Sequence, residues 1–338
     1  MEDAGMLPWQ YSKKSGPFPW EGLHNKLPEL LKVQAKDNTV FVMIFNESFA
    51  GLALNCIVSL VRYGRANNYI VGVVSQQSLQ RCMQLRLPCY DASANATTIT
   101  QAIDDSAKRN SLEWYHLVWA KTLVTNEVFR LGYDVGFADA DTVFLKPALK
   151  VYSSYLDQYD ADGTFMFEEK NTTDEKGNVA LKQYLNSGNF FLKNNIRTQF
   201  VMDEWMRGYA EHKDENGNQL WLNWMPEMKI PSYKICHTKS QCAALKRQGL
   251  AAIKPHPNQY DGVGQYCTPD SIPDICSDRR LYIHAICKTG HLAKRHAFEQ
   301  LGLWMIDIKV WPQDVKVSDP ARNLLPCPGE EAWKATYH

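Results

Sequence analysis

The run Tyr133-Asp134-Val135-Gly136-Phe137-Ala138-Asp139-Ala140-Asp141-Thr142-Val143-Phe144-Leu145 constrains this chain more than any other segment. Val135 to Ala138 carries no charge and reads as a strand covered on both faces. Asp139 and Asp141 follow it two residues apart, so an extended backbone would turn both carboxylates to one side. Two unpaired charges are costly to bury. A divalent cation makes them tolerable, and hard oxygen ligands suit Mg or Mn.

The motif alone is weak. With 21 Asp in 338 residues, about one Asp-x-Asp arises by chance. A second one does occur, Asp160-Ala161-Asp162, after Tyr159 and before Gly163, where a turn is expected. Only the first pair is bracketed by apolar segments, so it is the one expected to hold a metal or ligand.

Lys+Arg and Asp+Glu balance at 37 each, so no overall charge directs the chain to nucleic acid or an anionic membrane. The hydrophobic fraction of 45% permits a substantial core, in one large α/β domain or two smaller ones. Ten Trp and sixteen Tyr suit a carbohydrate-handling surface and an ordinary core equally well. No apolar run is long enough to span a bilayer, and Met1-Glu2-Asp3 lacks the layout of a signal peptide. A soluble chain is expected, or a fragment whose anchor lies outside it. Among nine cysteines, Cys82/Cys89, Cys236/Cys242 and Cys267/Cys276 are spaced for local disulfides in an oxidising lumen. Asn46, Asn95 and Asn171 match the N-glycosylation pattern, about as often as chance allows.

Residues 1–36 read as a Pro- and Trp-dotted arm packed along the surface. An α/β pattern follows: strand Val40–Phe45, helix Ala50–Tyr63, strand Tyr69–Val74 and helix Trp114–Leu131 ended by Gly132. The alternation suggests a doubly wound sheet, whose ligands bind beyond the carboxyl ends of the strands. Asp139 and Asn46 both fall at that edge. Phe165–Phe167 reads as a short strand, Glu168–Val179 as a polar loop, Asn189–Leu192 as another strand and Thr198–Tyr209 as a helix. The region from Trp221 to Asp278 gives no clear pattern. One domain over residues 37–312 and a tail over 313–338 complete the layout.

A second informative segment is His284-Ala-Ile-Cys-Lys288-Thr-Gly290-His291-Leu-Ala-Lys294. Arg279–Ile283 before it resembles a strand, which puts His284 at a strand end. A histidine can complete a metal shell begun by carboxylates. Gly290 permits close approach to a phosphate, and Lys288 and Lys294 offer cations for it. A solvated basic helix start explains the same lysines. Asn186-Ser187-Gly188-Asn189 offers amides and a hydroxyl, or simply a turn. Asn218-Gln219, beside Trp221 and Trp224, suits sugar hydroxyls, or a helix start. Lys121 lies on the long helix, where a lone lysine usually snorkels to solvent.

In this order, these elements resemble the nucleotide-diphospho-sugar transferases of the GT-A fold, specifically glycosyltransferase family 77. The resemblance runs from about Thr39 to Trp304, and its core motifs are Trp119-Ala-Lys121, Leu131 to Leu145, Leu185-Asn186-Ser187-Gly188, Gln219, the His284-Ala segment and Leu301-Gly302-Leu303-Trp304. It implies a mixed, mostly parallel sheet flanked by helices. It implies a retaining, Mn-dependent transfer (Mg is possible) of a xylose-, galactose- or arabinose-class sugar from a UDP-sugar to a glycan or glycoprotein. Asp139, Asp141 and His284 would hold the metal. Asn46, Lys121, Asp139, Ala140, Asp141, Asn186, Ser187, Gly290 and Lys294 would meet the donor. Gln219, Asn218 and Lys121 would act at the reacting sugar. A Golgi lumenal setting is implied, with a cytoplasmic one as the alternative. Asn218 stands where the family has Asp, and Ile286 where it often has Asn. Two other functions fit the residues: a haloacid-dehalogenase-type phosphohydrolase using Asp139 and Asp141, or a non-catalytic sugar-binding protein on a transferase fold.

Overall fold

The computed structural model describes residues 17–93, 112–173, 179–256, 280–286, 288–308 and 315–317. Along the chain these form α1 (Leu27–Gln34), β1 (Thr39–Phe45), α2 (Ala50–Arg62), β2 (Tyr69–Val73), α3 (Gln76–Gln84), β3 (Cys89–Asp91), α4 (Leu112–Arg130), β4 (Asp134–Ala138), β5 (Thr142–Phe144) and α5 (Ala148–Tyr159). There follow β6 (Gly163–Thr173), β7 (Val179–Leu192), α6 (Ile196–His212), α7 (Asn218–Trp224), β8 (Tyr233–Ile235), α8 (Lys239–Arg247) and β9 (Ala251–Ile253). The last elements are β10 (Tyr282–His284), α9 (His291–Gln300), β11 (Ile306–Ile308) and β12 (Val315–Val317).

Eight strands make one sheet in the order β3-β2-β1-β4-β7-β6-β9-β8. Every pairing is parallel except the two made by β7, with β4 and with β6. This is the mixed, mostly parallel sheet that the family resemblance implies. Both faces are covered, because β1 alternates with period two between separate apolar layers. Val40 and Val42 pack with residues of α1, α4, α6 and α7, among them Leu30, Trp119 and Trp205. Phe41, Met43 and Phe45 pack with residues of α2, α3, α5 and α9, among them Leu54, Leu79, Tyr152 and Phe298.

β1, α2, β2 and α4 fall within two residues of their expected bounds. Gly132 ends α4 at φ +94°, a conformation that glycine adopts without steric cost. Cys82–Cys89 and Cys236–Cys242 are disulfides, and Cys267/Cys276 lie outside the described residues.

Three local expectations are corrected, and one unassigned run resolves. The second half of the arm is not a surface segment, since α1 buries Leu27, Leu30 and Leu31 at helical spacing. Glu168–Thr173 is strand rather than loop, because polar residues suit a hairpin arm that pairs residue by residue with Val179–Tyr184. Asn186-Ser187-Gly188 lies inside β7 and not in a turn before it. The run after Trp221 resolves, as far as Ile253, into α7, β8, α8 and β9. Asn46 is buried, which leaves no room for a glycan there.

Candidate metal centre and active site

After β4 the chain turns. The Thr142 amide donates to the Asp139 carbonyl at 3.1 Å, so Asp139-Ala140-Asp141 is not extended as expected. The carboxylates converge for a different reason: the third partner is delivered to them. β5 pairs antiparallel with β10, which sets His284 opposite Thr142. The Ala285 amide then donates to the Asp141 carbonyl at 3.0 Å. Two three-residue strands thus bring together side chains 143 positions apart.

Asp139, Asp141 and His284 each offer a ligand atom within 4.8 Å of the others. His284 Nε2 lies 3.2 Å from Asp141 Oδ1 and 3.8 Å from Asp139 Oδ2. Its Nδ1 faces the Met166 sulfur at 3.2 Å. The Asp141 side chain is 9% exposed and that of Asp139 is 29% exposed, so the cluster is closed on one side and open on the other. The donors, two carboxylates and an imidazole, suit a hard or borderline divalent cation.

Two lysines supply counter-charge. Lys121 does not snorkel from α4; its Nζ donates to both oxygens of Asp139, at 2.8 and 3.1 Å, and lies 5.4 Å from the centre of the Phe137 ring. Lys294 donates to Asp141 Oδ2 and, at 3.0 Å, to the Ala285 carbonyl. It stands in the first turn of α9, where the helix dipole disfavours a cation. Asp141 offsets that local conflict, of a kind common at functional sites.

Burial raises the cost of charging Asp141, yet the charges and hydrogen bonds of His284 and Lys294 outweigh it and hold the carboxyl well below its usual range. Burial likewise disfavours imidazolium at His284, but Asp141 and then Asp139 raise its pKa above the ordinary value. Burial, followed by the Asp141 charge, pushes the Cys56 thiol well up, so this buried cysteine is not a thiolate nucleophile.

The wall beside Asp139 comes from an irregularity in the hairpin. Phe165 pairs with Phe190 but Met166 pairs with Asn186, so Ser187, Gly188 and Asn189 have no partners on β6. The Gly188 carbonyl accepts from the Asp139 amide at 2.7 Å. A Cβ at Gly188 would stand 2.4 Å from His284 Cε1 and 2.5 Å from Asp139 Oδ2, so only glycine fits. Ser187 is held by α7: its amide donates to Gln219 Oε1 at 3.1 Å and its hydroxyl to Asn218 Oδ1 at 3.3 Å. Asn218 Nδ2 donates to Thr122 Oγ1 at 3.0 Å, which links this group to the residue after Lys121. Asn223 pairs with the Leu185 backbone through both of its polar atoms at 2.8 Å, docking α7 on β7 as a strand would.

The cluster therefore gathers Lys121, Asp139, Asp141, Ser187, His284 and Lys294, with Asn186, Asn218 and Gln219 one bond away. Ala140 lies in the turn between the two aspartates. Gly290 caps α9 at φ +82°. Asn46 stands at the end of β1, where its side-chain oxygen accepts from the Phe49 amide at 2.9 Å ahead of α2. Sequence reasoning passed over Met166, Thr122, Asn223 and Glu168. Their roles depend on register and on contacts across 18 to 118 positions, which local pattern does not carry.

No curated protein sequence matches this chain. Among solved structures it is similar to the bifunctional glycosyltransferase WbbM, at 13% identity and a TM-score of 0.44 over 78% of this chain and 50% of that one. The chain thus spans about half the length of that relative. It is also similar to mouse xyloside xylosyltransferase 1, at 11% identity and a TM-score of 0.40, over 74% of this chain and 98% of that one. For the galactosyltransferase LgtC in complex with donor and acceptor sugar analogs, the values are 10% identity and a TM-score of 0.39, over 78% and 95%. The family model for nucleotide-diphospho-sugar transferases matches residues 64–298, well over half of the chain and all of the cluster. The chain belongs to the nucleotide-diphospho-sugar transferase family.

Proposed function

We propose that this chain is a retaining, Mn-dependent glycosyltransferase that moves a xylose-, galactose- or arabinose-class sugar from a UDP-sugar to a glycan or glycoprotein acceptor. The observation that carries this reading is the meeting of Asp139, Asp141 and His284 between two cationic side chains, Lys121 and Lys294. A divalent cation held by those three residues would supply positive charge to the donor diphosphate and favour departure of UDP. Mg fits the same donors.

The ammonium groups of Lys121 and Lys294 are the cations closest to the carboxylates, and their donors suit the phosphate and hydroxyl oxygens of the donor. The backbone at Gly290, Asn46 and the Asp139–Asp141 turn complete the proposed donor contacts. Asn186, Ser187, Asn218 and Gln219 are neutral and suit sugar hydroxyls. None is a nucleophile, so we assign attack to the acceptor hydroxyl on the leaving-group face. Its oxygen bonds to the anomeric carbon as the bond to the diphosphate breaks, and its proton passes to the departing phosphate.

Membership of glycosyltransferase family 77, a catalytic domain over residues 37–312 and a Golgi lumenal setting are parts of the same proposal. The two disulfides support an oxidising compartment. Among the described residues no helix is long and apolar enough to cross a membrane.

The test is a donor screen in MnCl2 that measures UDP released from UDP-xylose, UDP-galactose, UDP-glucose and UDP-arabinose. Release from one of them, lost on chelation, is expected. Silence with all four donors, while UDP still raises the Tm in the presence of Mn, would overturn turnover and leave a sugar-nucleotide-binding protein.

A further inference from the structure

Strand β6 carries a carboxylate that the donor reading does not use. Glu168 lies two residues beyond Met166, hence on the same face of the strand. Met166 meets His284, and Glu168 Oε1 accepts from Asn186 Nδ2. The other end of that amide is fixed by chemistry. Asn186 Oδ1 lies 2.6 Å from the Gly188 amide nitrogen, a backbone donor, so the oxygen must face Gly188 and the NH2 must face Glu168. The Glu168 side-chain oxygen is the acceptor that keeps it there.

The consequence reaches the cluster. Gly188 has no strand partner on β6, and its amide is held by Asn186 instead. Its carbonyl holds the Asp139 amide, and its Cα stands against His284 and Asp139 so closely that a Cβ would clash with both. An Asn186 amide free to rotate would release Gly188, and a displaced Gly188 would move Asp139. Groups that orient metal ligands are worth about 10- to 100-fold in affinity or activity.

We infer that Glu168 is a positioning residue for the donor site: it fixes the Asn186 amide, which holds the Gly188 segment of β7 against Asp139 and His284. The inference rests on the proposed metal and donor reading of that cluster. It also limits Asn186, whose side chain has already committed one N–H and one oxygen lone pair to this bridge and is left with one of each for a sugar.

Two measurements on the full chain test it. Deuterium uptake over residues 184–190 is compared for the wild type, Glu168→Ala, Glu168→Gln, Asn186→Ala and the double variant Glu168→Ala/Asn186→Ala. Affinity for UDP in MnCl2 and the split of kcat from KM are measured on the same proteins. Glu168→Ala and Asn186→Ala should each speed exchange at Gly188 and weaken UDP binding about 10-fold. Glu168→Gln, which keeps an acceptor, should recover most of both, and the double variant should be no worse than Asn186→Ala. Glu168→Met replaces the alanine variant if the latter does not fold. Unchanged exchange in Glu168→Ala, additive losses in the double variant, or faster exchange with unchanged affinity and kcat would each overturn the role. A wild-type protein that takes up neither Mn nor UDP would instead defeat the donor reading, and with it the functional half of this inference. The exchange data would still report whether Glu168 holds Asn186.

Discussion

The chain carries Asp-x-Asp twice, and the two copies have opposite fates. In Asp160-Ala161-Asp162 the first residue is the left-handed C-cap of α5, at φ 54°. Its carboxylate pairs with Lys246 at 2.5 Å. Asp162 points elsewhere, and its oxygens are spoken for. Oδ1 accepts from Arg197 Nη2 at 2.6 Å and Asn195 at 3.0 Å, while Oδ2 accepts from Arg197 Nε and the Ala252 amide, both at 3.0 Å. A planar, bidentate guanidinium plus two further donors satisfies a buried carboxylate completely. Asp139 and Asp141 face one common point with His284, and one of the two stays partly open to solvent. Spacing in sequence is the same; the difference lies in whether the two carboxylates point apart, each to its own partner, or converge on a single point.

The sharpest break of this comparison is a set of four alanine variants assayed for Mn-dependent UDP binding and sugar transfer. Asp139→Ala and Asp141→Ala should each lower transfer by at least about 1,000-fold and abolish UDP-dependent stabilisation. Asp160→Ala and Asp162→Ala should leave UDP affinity per folded molecule within about two-fold of wild type. Equal losses from both pairs would mean that the distinction is wrong.

Stability should sort the pairs the other way. Asp162→Ala strands Arg197 and the Ala252 amide, so a loss of about 3–5 kcal/mol is expected in urea unfolding. Asp141→Ala leaves Lys294 still bonded to the Ala285 carbonyl and His284 able to become neutral, so its loss should be smaller by at least about 1 kcal/mol. Comparable losses would show that Asp141 is also a structural ion.

Acid separates loss of the fold from loss of the site. His256 is buried against Tyr282, its Nδ1 2.7 Å from the phenol oxygen, and burial depresses its pKa to about 3. An unfolded chain takes up this proton near pH 6.5, and the folded one does not until about pH 3, so stability is full above 6.5 and falls as pH drops. Between pH 6.5 and 4.5 the loss should be on the order of 2 kcal/mol. His256→Gln should flatten that slope relative to wild type. An unchanged slope would assign the acid sensitivity to other groups.

Much of this architecture was readable from sequence, and the reasons are local. β1, α2, β2 and α4 sit where apolar periodicity puts them, and the first Asp pair was distinguished from the second by its apolar flanks alone. The spacing of Leu27, Leu30 and Leu31 was equally legible, but the surrounding Pro and Trp masked it. What stayed hidden depends on pairing. Glu168 and Asn186 read as loop and turn because a polar hairpin has no buried alternation to announce it. The Asp139–Thr142 turn, the slipped register at Phe165/Met166 and the delivery of His284 by β10 are all long-range events. Lys121 carries no local sign that Asp139 awaits it 18 positions later.

The smallest expected effect probes the layer behind the site. Met166 faces His284 Nδ1 with a thioether, a weak acceptor that favours the proton on Nδ1 and leaves Nε2 toward Asp141 and Asp139. Leucine has nearly the volume of methionine and no acceptor, so Met166→Leu tests that preference with little repacking. Tm should stay within a few degrees of wild type, while Mn affinity measured in the presence of UDP drops about two- to five-fold, a change below about 1 kcal/mol. The same substitution made in His284→Ala should produce no further loss, because there is then no ring to orient. Equal losses in the two backgrounds would mean that Met166 acts by packing β6 against β10, and the site would be held by strand register rather than by contact with the imidazole.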